Sequence, residues 1–271
     1  MSAHALAQEL MAAHASRQVI SIPPSARDPA FDLDAAYAVE AEVVRLRRAS
    51  GRATVGRKVG FANKAMWRVL KLDTLVWAHM YDDTIQFADG TAASLSLAER
   101  YAPKIEPEIV FKLKASLDPG PLEPSTVLAS VEWLALGFEI IDCVFPDWTF
   151  TPVDFVASFG LHAALVVGEP LRVEPEMIPS LVEQLSRFTV KLLKNGDLVG
   201  EGSGRNSLRS PVLCLGELAS ATARRSPQEP LASGELVSSG TLTESQPLAR
   251  CETWTAFVEG LALPGLTLTT S

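Results

Sequence analysis

Cysteine is scarce in this chain, and what there is lies scattered. Cys143, Cys214 and Cys251 are odd in number and far apart. That excludes a disulfide framework and a zinc site, and it fits a reducing compartment. Positive charge is also short. Lys and Arg total 24 against 32 Asp and Glu, so the net charge is −8. A surface of that sign argues against nonspecific nucleic-acid binding. An anionic substrate would then need local positive charge from a metal, Lys or Arg. No apolar run approaches the length of a membrane span. Met1 to His14 lacks a basic head followed by a continuous apolar core, so no secretory signal is expected and the expected address is the cytoplasm. There is no Gly-x-Ser-x-Gly elbow of a serine hydrolase. The Gly/Ser-rich stretch from Glu201 to Ser207 has neither the Walker Lys-Ser/Thr nor the Rossmann spacing. Internal repeats and low-complexity tracts are missing too.

What is present is an ordinary globular composition, 47% hydrophobic and 21% charged. Its 271 residues suffice for one large domain, or a large domain with a small appendage. Residues 3–15 are rich in Ala, Leu, Gln and Glu and read as a helix, with His4 and His14 facing solvent and inert. Three prolines between Ile20 and Pro29 break it. A second helix starts at Asp32 or Asp34, carries Ala36, Val39, Val43 and Leu46 at helical spacing, and ends at Gly51. Residues 63–72 form a short helix capped by Asn63. Trp77 to Asp83 leads into a loop, and Ser94 to Leu97 alternates as a strand does. Val127 to Gly137 reads as a buried helix leading to a strand at 138–141. Val153 to Gly160 is a short helix, and Leu161 to Gly168 is a strand carrying His162. Asn195-Gly196 marks a hairpin. Pro211 to Ala223 is a helix, and the remainder is strands.

The stretch that organises these pieces runs from Lys104 to Leu113. Ile109, Val110 and Phe111 mark a buried strand. Side chains alternate along a strand, so Glu106 and Glu108 share a face about 7 Å apart. Two carboxylates at the start of an apolar strand repel each other and lose hydration when covered, so something positive belongs between them. Glu139 follows the apolar run 133–138 and supplies a third. Three carboxylates without Cys or His suit a hard, oxygen-loving ion such as Mg²⁺ or Mn²⁺. The plain alternative is a solvated strand edge and a lone charge. Upstream, Gly56-Arg57-Lys58-Val59-Gly60 puts a Lys inside a short apolar strand flanked by glycines, which permit close approach of backbone or ligand. A pocket-facing Lys would have a lowered proton affinity and exchange protons near neutrality. A snorkelling Lys at a strand edge is the alternative.

In this order the pieces resemble the fumarylacetoacetate hydrolase superfamily, and within it the branch of 2-oxopent-4-enoate hydratases and 4-oxalocrotonate (2-oxo-3-hexenedioate) decarboxylases. The residues that carry the likeness are Gly-Arg-Lys-Val-Gly at 56–60, Ile-Glu-Pro-Glu-Ile at 105–109, Glu-Ile-Ile-Asp at 139–142 and Val-Ser-Ser-Gly-Thr-Leu-Thr at 237–243. It spans roughly residues 50 to 265. The resemblance implies an α+β fold, a mixed β-roll or barrel behind a small N-terminal helical subdomain, with residues 1–75 as that subdomain and 76–271 as the catalytic domain. It implies Glu106, Glu108 and Glu139 as ligands of Mg²⁺ or Mn²⁺, Lys58 as the proton-transfer residue, a small-molecule 2-oxo acid as substrate, and a homo-oligomer. The implied activity is a 2-oxopent-4-enoate-type hydratase of aromatic catabolism. The alternatives are a 2-oxo-3-hexenedioate decarboxylase, an acylpyruvate-type C–C hydrolase, or a metal-binding scaffold with a decayed site.

The sequence also departs from that pattern. His79 stands where the hydratases carry an Asp, and Ala157-Ser158-Phe159-Gly160-Leu161 replaces an Ala-Asp-Asn-x-Ser segment. His79 and His162 are therefore the expected catalytic substitutes for the missing groups.

Overall fold

The computed structural model describes residues 2–271. Three helices come first: α1 (Ala3–Ser16), α2 (Pro24–Arg27) and α3 (Leu33–Ala49). Asp32 caps α3, its side chain accepting from the Ala35 amide, and Gly51 beyond its end takes a left-handed φ of 87°. Then follow β1 (Thr54–Gly60), α4 (Lys64–Leu70), β2 (Val76–Tyr81), β3 (Ile85–Phe87), β4 (Ala92–Leu95), β5 (Pro103–Leu113), α5 (Pro124–Ala129) and β6 (Val131–Asp142). The chain continues through α6 (Pro152–Ala157), β7 (His162–Val167), β8 (Leu171–Arg172), α7 (Ile178–Arg187), β9 (Thr189–Lys194) and β10 (Asp197–Ser203). It closes with α8 (Pro211–Arg225), β11 (Leu236–Ser238), β12 (Gln246–Pro247), β13 (Thr253–Glu259) and β14 (Leu266–Thr270).

The strands form two sheets, and the α+β expectation holds. The larger has nine strands in the order β2-β1-β11-β5-β6-β7-β3, with β12 added to β5 and β8 to β6. It is mixed: β1 runs parallel to β11, while β5 runs antiparallel to both β11 and β6. The smaller has five strands in the order β10-β9-β13-β14-β4. Asn195 and Gly196, both at positive φ, make the tight turn between β9 and β10. One hydrophobic core runs from Leu6 and Leu10 of α1 through Trp77, Ile105 and Ile140 to Leu215 of α8. Strand β1 lies within residues 1–75 yet belongs to the larger sheet, between β2 and β11, while the helices of that segment, α1 to α4, stand outside it. No helix of the described residues is long and apolar enough to cross a membrane.

Three local expectations give way. Residues 127–137 are not one helix: α5 ends at Ala129, and Val131 onward is the twelve-residue strand β6. That run is apolar on both sides because the strand is buried on both faces, and periodicity cannot then separate helix from strand. Trp77 to Tyr81 belongs to β2, likewise buried throughout. His14 does not face solvent but packs against the turn that follows α6. Its Nε2 lies 2.9 Å from the Ser158 hydroxyl, its ring meets Phe159 edge-on, and burial, with Arg100 and Arg47 nearby, lowers its pKa to about 4.

The parallel pairing of β1 with β11 depends on Gly56. A Cβ there would stand 1.9 Å from the Leu236 carbonyl oxygen. Replacement by Ala forces the two backbones apart, so Gly56→Ala is expected to lower the unfolding free energy by about 2–3 kcal/mol. An unchanged urea midpoint would show that the strands can absorb a methyl group.

Candidate metal centre

Strand β5 puts Glu106 and Glu108 on one face, and the antiparallel register sets Glu139 of β6 directly across from Glu106. One oxygen from each of the three carboxylates lies within 4.8 Å of the others. Glu108 and Glu139 are fully buried. Glu108 is gripped on one side only. Its Oε2 accepts from the Ser238 hydroxyl at 2.5 Å and from the Gly240 amide at 2.7 Å. Its Oε1 is buried with no hydrogen-bond partner. Gly240 sits at φ 90°, and a Cβ there would approach the Ala62 methyl to 2.8 Å, so glycine suits that position twice over. Glu139 has both oxygens engaged: Oε2 accepts from Lys58 Nζ and Oε1 from His162 Nδ1, each at 2.8 Å.

The charges do not balance. Three carboxylates share one ammonium, that of Lys58, inside a protein interior. Burial, together with the neighbouring Glu139, pushes Glu106 up to about 7 despite the attraction of Lys58. Burial and the two other carboxylates raise Glu108 well above the usual range. Glu139 goes the other way: burial opposes its charge, but Lys58 and the His162 hydrogen bond outweigh it, so it is held ionised. An acidic, oxygen-only donor set with an unpartnered Glu108 oxygen fits a divalent cation of the Mg²⁺ kind.

Lys58 departs from the sequence expectation. Burial works against its charge, but Glu139, Glu106 and Glu108 together overcome this and raise its proton affinity. Its side chain runs past Gly160, where a Cβ would come within 2.6 Å of Lys58 Cδ. The residue of β2 paired with Lys58 is Ala78, which brings no functional group.

The two histidines part company. His162 sits behind Glu139, with its second nitrogen 2.9 Å from the Thr84 hydroxyl. An ionised carboxylate only accepts, so Nδ1 carries the proton and His162 orients Glu139. Burial lowers the pKa of His162, which favours this neutral state. His79 is not in the centre at all. It pairs with Arg57, one residue out of step with Lys58, and so projects from the opposite face of the sheet. There its Nδ1 meets the buried Glu40 of α3 at 2.6 Å, and Glu229 lies 3.3 Å from Nε2. The expectation of His79 as a catalytic substitute is corrected by strand parity. Ser158, from the divergent segment, also points away, toward His14.

Ser238 and Gly240 escaped the reading of the sequence as site residues. The signal was the Ser-Ser-Gly run at 238–240, whose hydroxyl and amide donors fix Glu108. In front of the carboxylates lies a cavity of about 530 Å³, walled by Phe61, Trp148, Phe150 and Phe155, with Lys58 and Glu106 at its polar end. That volume is ordinary for a small-molecule site.

No family profile matches the chain. It is 30% identical over 214 residues to the 2-keto-4-pentenoate hydratase of Paraburkholderia xenovorans (strain LB400), covering 79% of this chain and 76% of that one. It is 28% identical over 239 residues to the 2-hydroxyhexa-2,4-dienoate hydratase of Comamonas testosteroni, covering 88% and 87%. Its fold matches 4-oxalocrotonate decarboxylase from Pseudomonas putida G7, complexed with magnesium and adipate, with a TM-score of 0.88 over 99% of this chain and 97% of that one, at 24% identity. The chain therefore belongs to the 2-keto-4-pentenoate hydratase and 4-oxalocrotonate decarboxylase branch of the fumarylacetoacetate hydrolase superfamily.

Proposed function

We propose that this chain is a divalent-metal-dependent hydro-lyase that adds water to a 2-oxopent-4-enoate-type acid in aromatic catabolism. The observation that carries the reading is the cluster of Glu106, Glu108 and Glu139 with Lys58, at the end of an aromatic-walled cavity that Glu106 and Lys58 line, in a chain of the hydratase branch. The three carboxylates are the proposed ligands, and Mg²⁺ or Mn²⁺ the proposed ion. When bound, that ion supplies a Lewis acid to the carboxylate and keto oxygens of a 2-oxo acid and draws off the negative charge that builds there.

The protein's own residues do the rest. Lys58, kept protonated by its three acidic neighbours, is the proton donor to carbon when the dienol is converted to its keto form. Glu139 holds that ammonium in place, and His162 holds Glu139. The aromatic wall binds the conjugated carbon skeleton. A decarboxylase of 2-oxo-3-hexenedioate is the second reading, favoured by the fold match and by the build-up of charge at the same oxygens. Assembly as a homo-oligomer and a cytoplasmic address are part of the proposal, on the strength of the family.

Metal-stripped protein, resupplied with Mg²⁺ or Mn²⁺, should consume the dienol absorbance of 2-hydroxypenta-2,4-dienoate. Release of carbon dioxide from 2-oxo-3-hexenedioate alone would make it the decarboxylase, and silence toward both, with metal bound, would mean that the site serves another oxo acid or has been retired. Glu106→Ala is expected to abolish metal-dependent turnover, and full activity with metal still bound would sink the ligand assignment. Lys58→Met is expected to keep its metal, measured by calorimetry, while turnover falls by roughly 10²–10⁴-fold. Parental turnover in that variant would make Lys58 a structural residue.

The pH dependence follows from Glu106, whose pKa rises from 4.5 to about 7. Between those values the folded chain holds a proton that the unfolded chain has released, so the metal-free fold loses stability as pH rises from about 5 to about 7.5. A metal competes with the same proton, so its affinity grows over that window. Mg²⁺ should therefore raise the melting temperature more at pH 8 than at pH 5.5. An equal gain at both would contradict the assignment of Glu106 as a ligand.

A further inference from the structure

On the far side of His162 from Glu139 lies a second cavity, of about 220 Å³. It shares no lining residue with the aromatic-walled cavity. Separate parts of the chain meet there: His14 of α1, Arg47 of α3, Thr84 after β2, Arg100 before β5, Phe159 after α6 and His162 of β7. Two guanidinium groups reach this cavity with donors to spare. Arg47 lies over the Tyr81 ring, 4.1 Å from its centroid, and donates only through Nη2, to the Asp83 oxygens at 2.7 and 2.8 Å. Arg100 donates only through Nη2, to the Ala163 carbonyl at 3.0 Å. It forms no ion pair with any described residue. The Nε of each arginine is buried without a hydrogen-bond partner. Water can satisfy such a donor, but it leaves the charge of Arg100 unbalanced.

The acids of the wall do not supply the balance. Asp83 is shared between Arg47 and Arg52, the latter at 3.1 Å. Asp142 has its two oxygens on the Tyr101 and Ala102 amides. Glu99 is exposed and forms no ion pair with either arginine. The positive field registers on His14, whose pKa is held down at about 4 by burial, then by Arg100 and Arg47. The unused donors, Nε and Nη1 of each arginine, come from two planar groups on different elements. A flat carboxylate matches one such group edge-on, whereas a tetrahedral oxyanion offers acceptors in several directions at once. We infer that this cavity is a binding site for a small tetrahedral oxyanion of the phosphate class, held between Arg47 and Arg100. The site stands apart from the proposed metal ligands, and its test does not depend on turnover.

Calorimetric titration of the Mg²⁺-loaded protein with inorganic phosphate is the experiment. Phosphate should saturate one site and bind more tightly than acetate. Arg100→Met breaks no ion pair. It should weaken phosphate by roughly ten- to a hundredfold, the range of a charge-assisted contact, and leave Mg²⁺ affinity at the parental value. In the parent protein, phosphate should also raise the pKa of His14, followed by its imidazole proton resonance, because the anion offsets the two arginines that lower it. Absence of saturable binding overturns the inference, as does equal binding of phosphate and acetate. A His14 resonance that titrates alike with and without phosphate does the same, and needs no variant. Phosphate affinity that survives Arg100→Met but disappears when Mg²⁺ is stripped would make the anion a ligand of the cation instead. An equal fall in Mg²⁺ and phosphate affinity in Arg100→Met would also overturn the inference, since Arg100 would then act through the metal centre.

Discussion

Mutual repulsion among Glu106, Glu108 and Glu139 is the constraint to which the surrounding structure answers. Buried charge is tolerated only when each oxygen has a donor or an opposite charge. The fold meets this from three directions. Strand β11 sends Ser238, and the turn after it the Gly240 amide, against Glu108, β1 sends Lys58 against Glu139, and β7 sends His162 to the other oxygen of Glu139. Each donor grips a carboxylate on its outer side. Glu108 Oε1 is left without a donor beside the other two carboxylates, which is an unfavourable arrangement for a charged oxygen and a favourable one for a small cation.

Backbone conformation carries part of this cost. Phe159, Gly160 and Leu161 are three successive residues at left-handed φ, and two of them have side chains. Such residues cost about 1–3 kcal/mol each and persist only where the surroundings fix them. Here the turn brings the bare Gly160 against the Lys58 stem and sends Leu161 into the cavity wall. The segment that sets this chain apart from the hydratase pattern thus supplies shape rather than a carboxylate or an amide.

Much of the centre was legible because strands obey a strict alternation. Glu106 and Glu108 two residues apart had to share a face, and glycines on either side of Lys58 announced close approach. The fold class followed from the same motifs by resemblance. Other parts were hidden for physical reasons. Strand β6 has no alternation to read, since neither of its faces meets water. The parity that unites Glu106 with Glu108 separates His79 from Lys58, but only the β1–β2 register reveals which side His79 takes. His14 looked like a surface residue of an alanine-rich helix until α1 packed against the turn at Ser158. The raised proton affinity of Lys58 depends on three acids brought from two other strands, a sum that no local window contains.

The pairing of β1 directly with β11 has a kinetic side. Lys58 and Ser238 are register partners far apart in the chain, with most of the other elements between them in sequence. Contacts of such long range are slow to form, since the loop they close must be ordered first. The donors to Glu139 and Glu108 therefore come together only after most of the polypeptide has emerged and folded. A nascent or truncated chain holds the paired glutamates of β5 without the groups that tame them, and its cation affinity should appear late and abruptly, as a mark of the finished molecule.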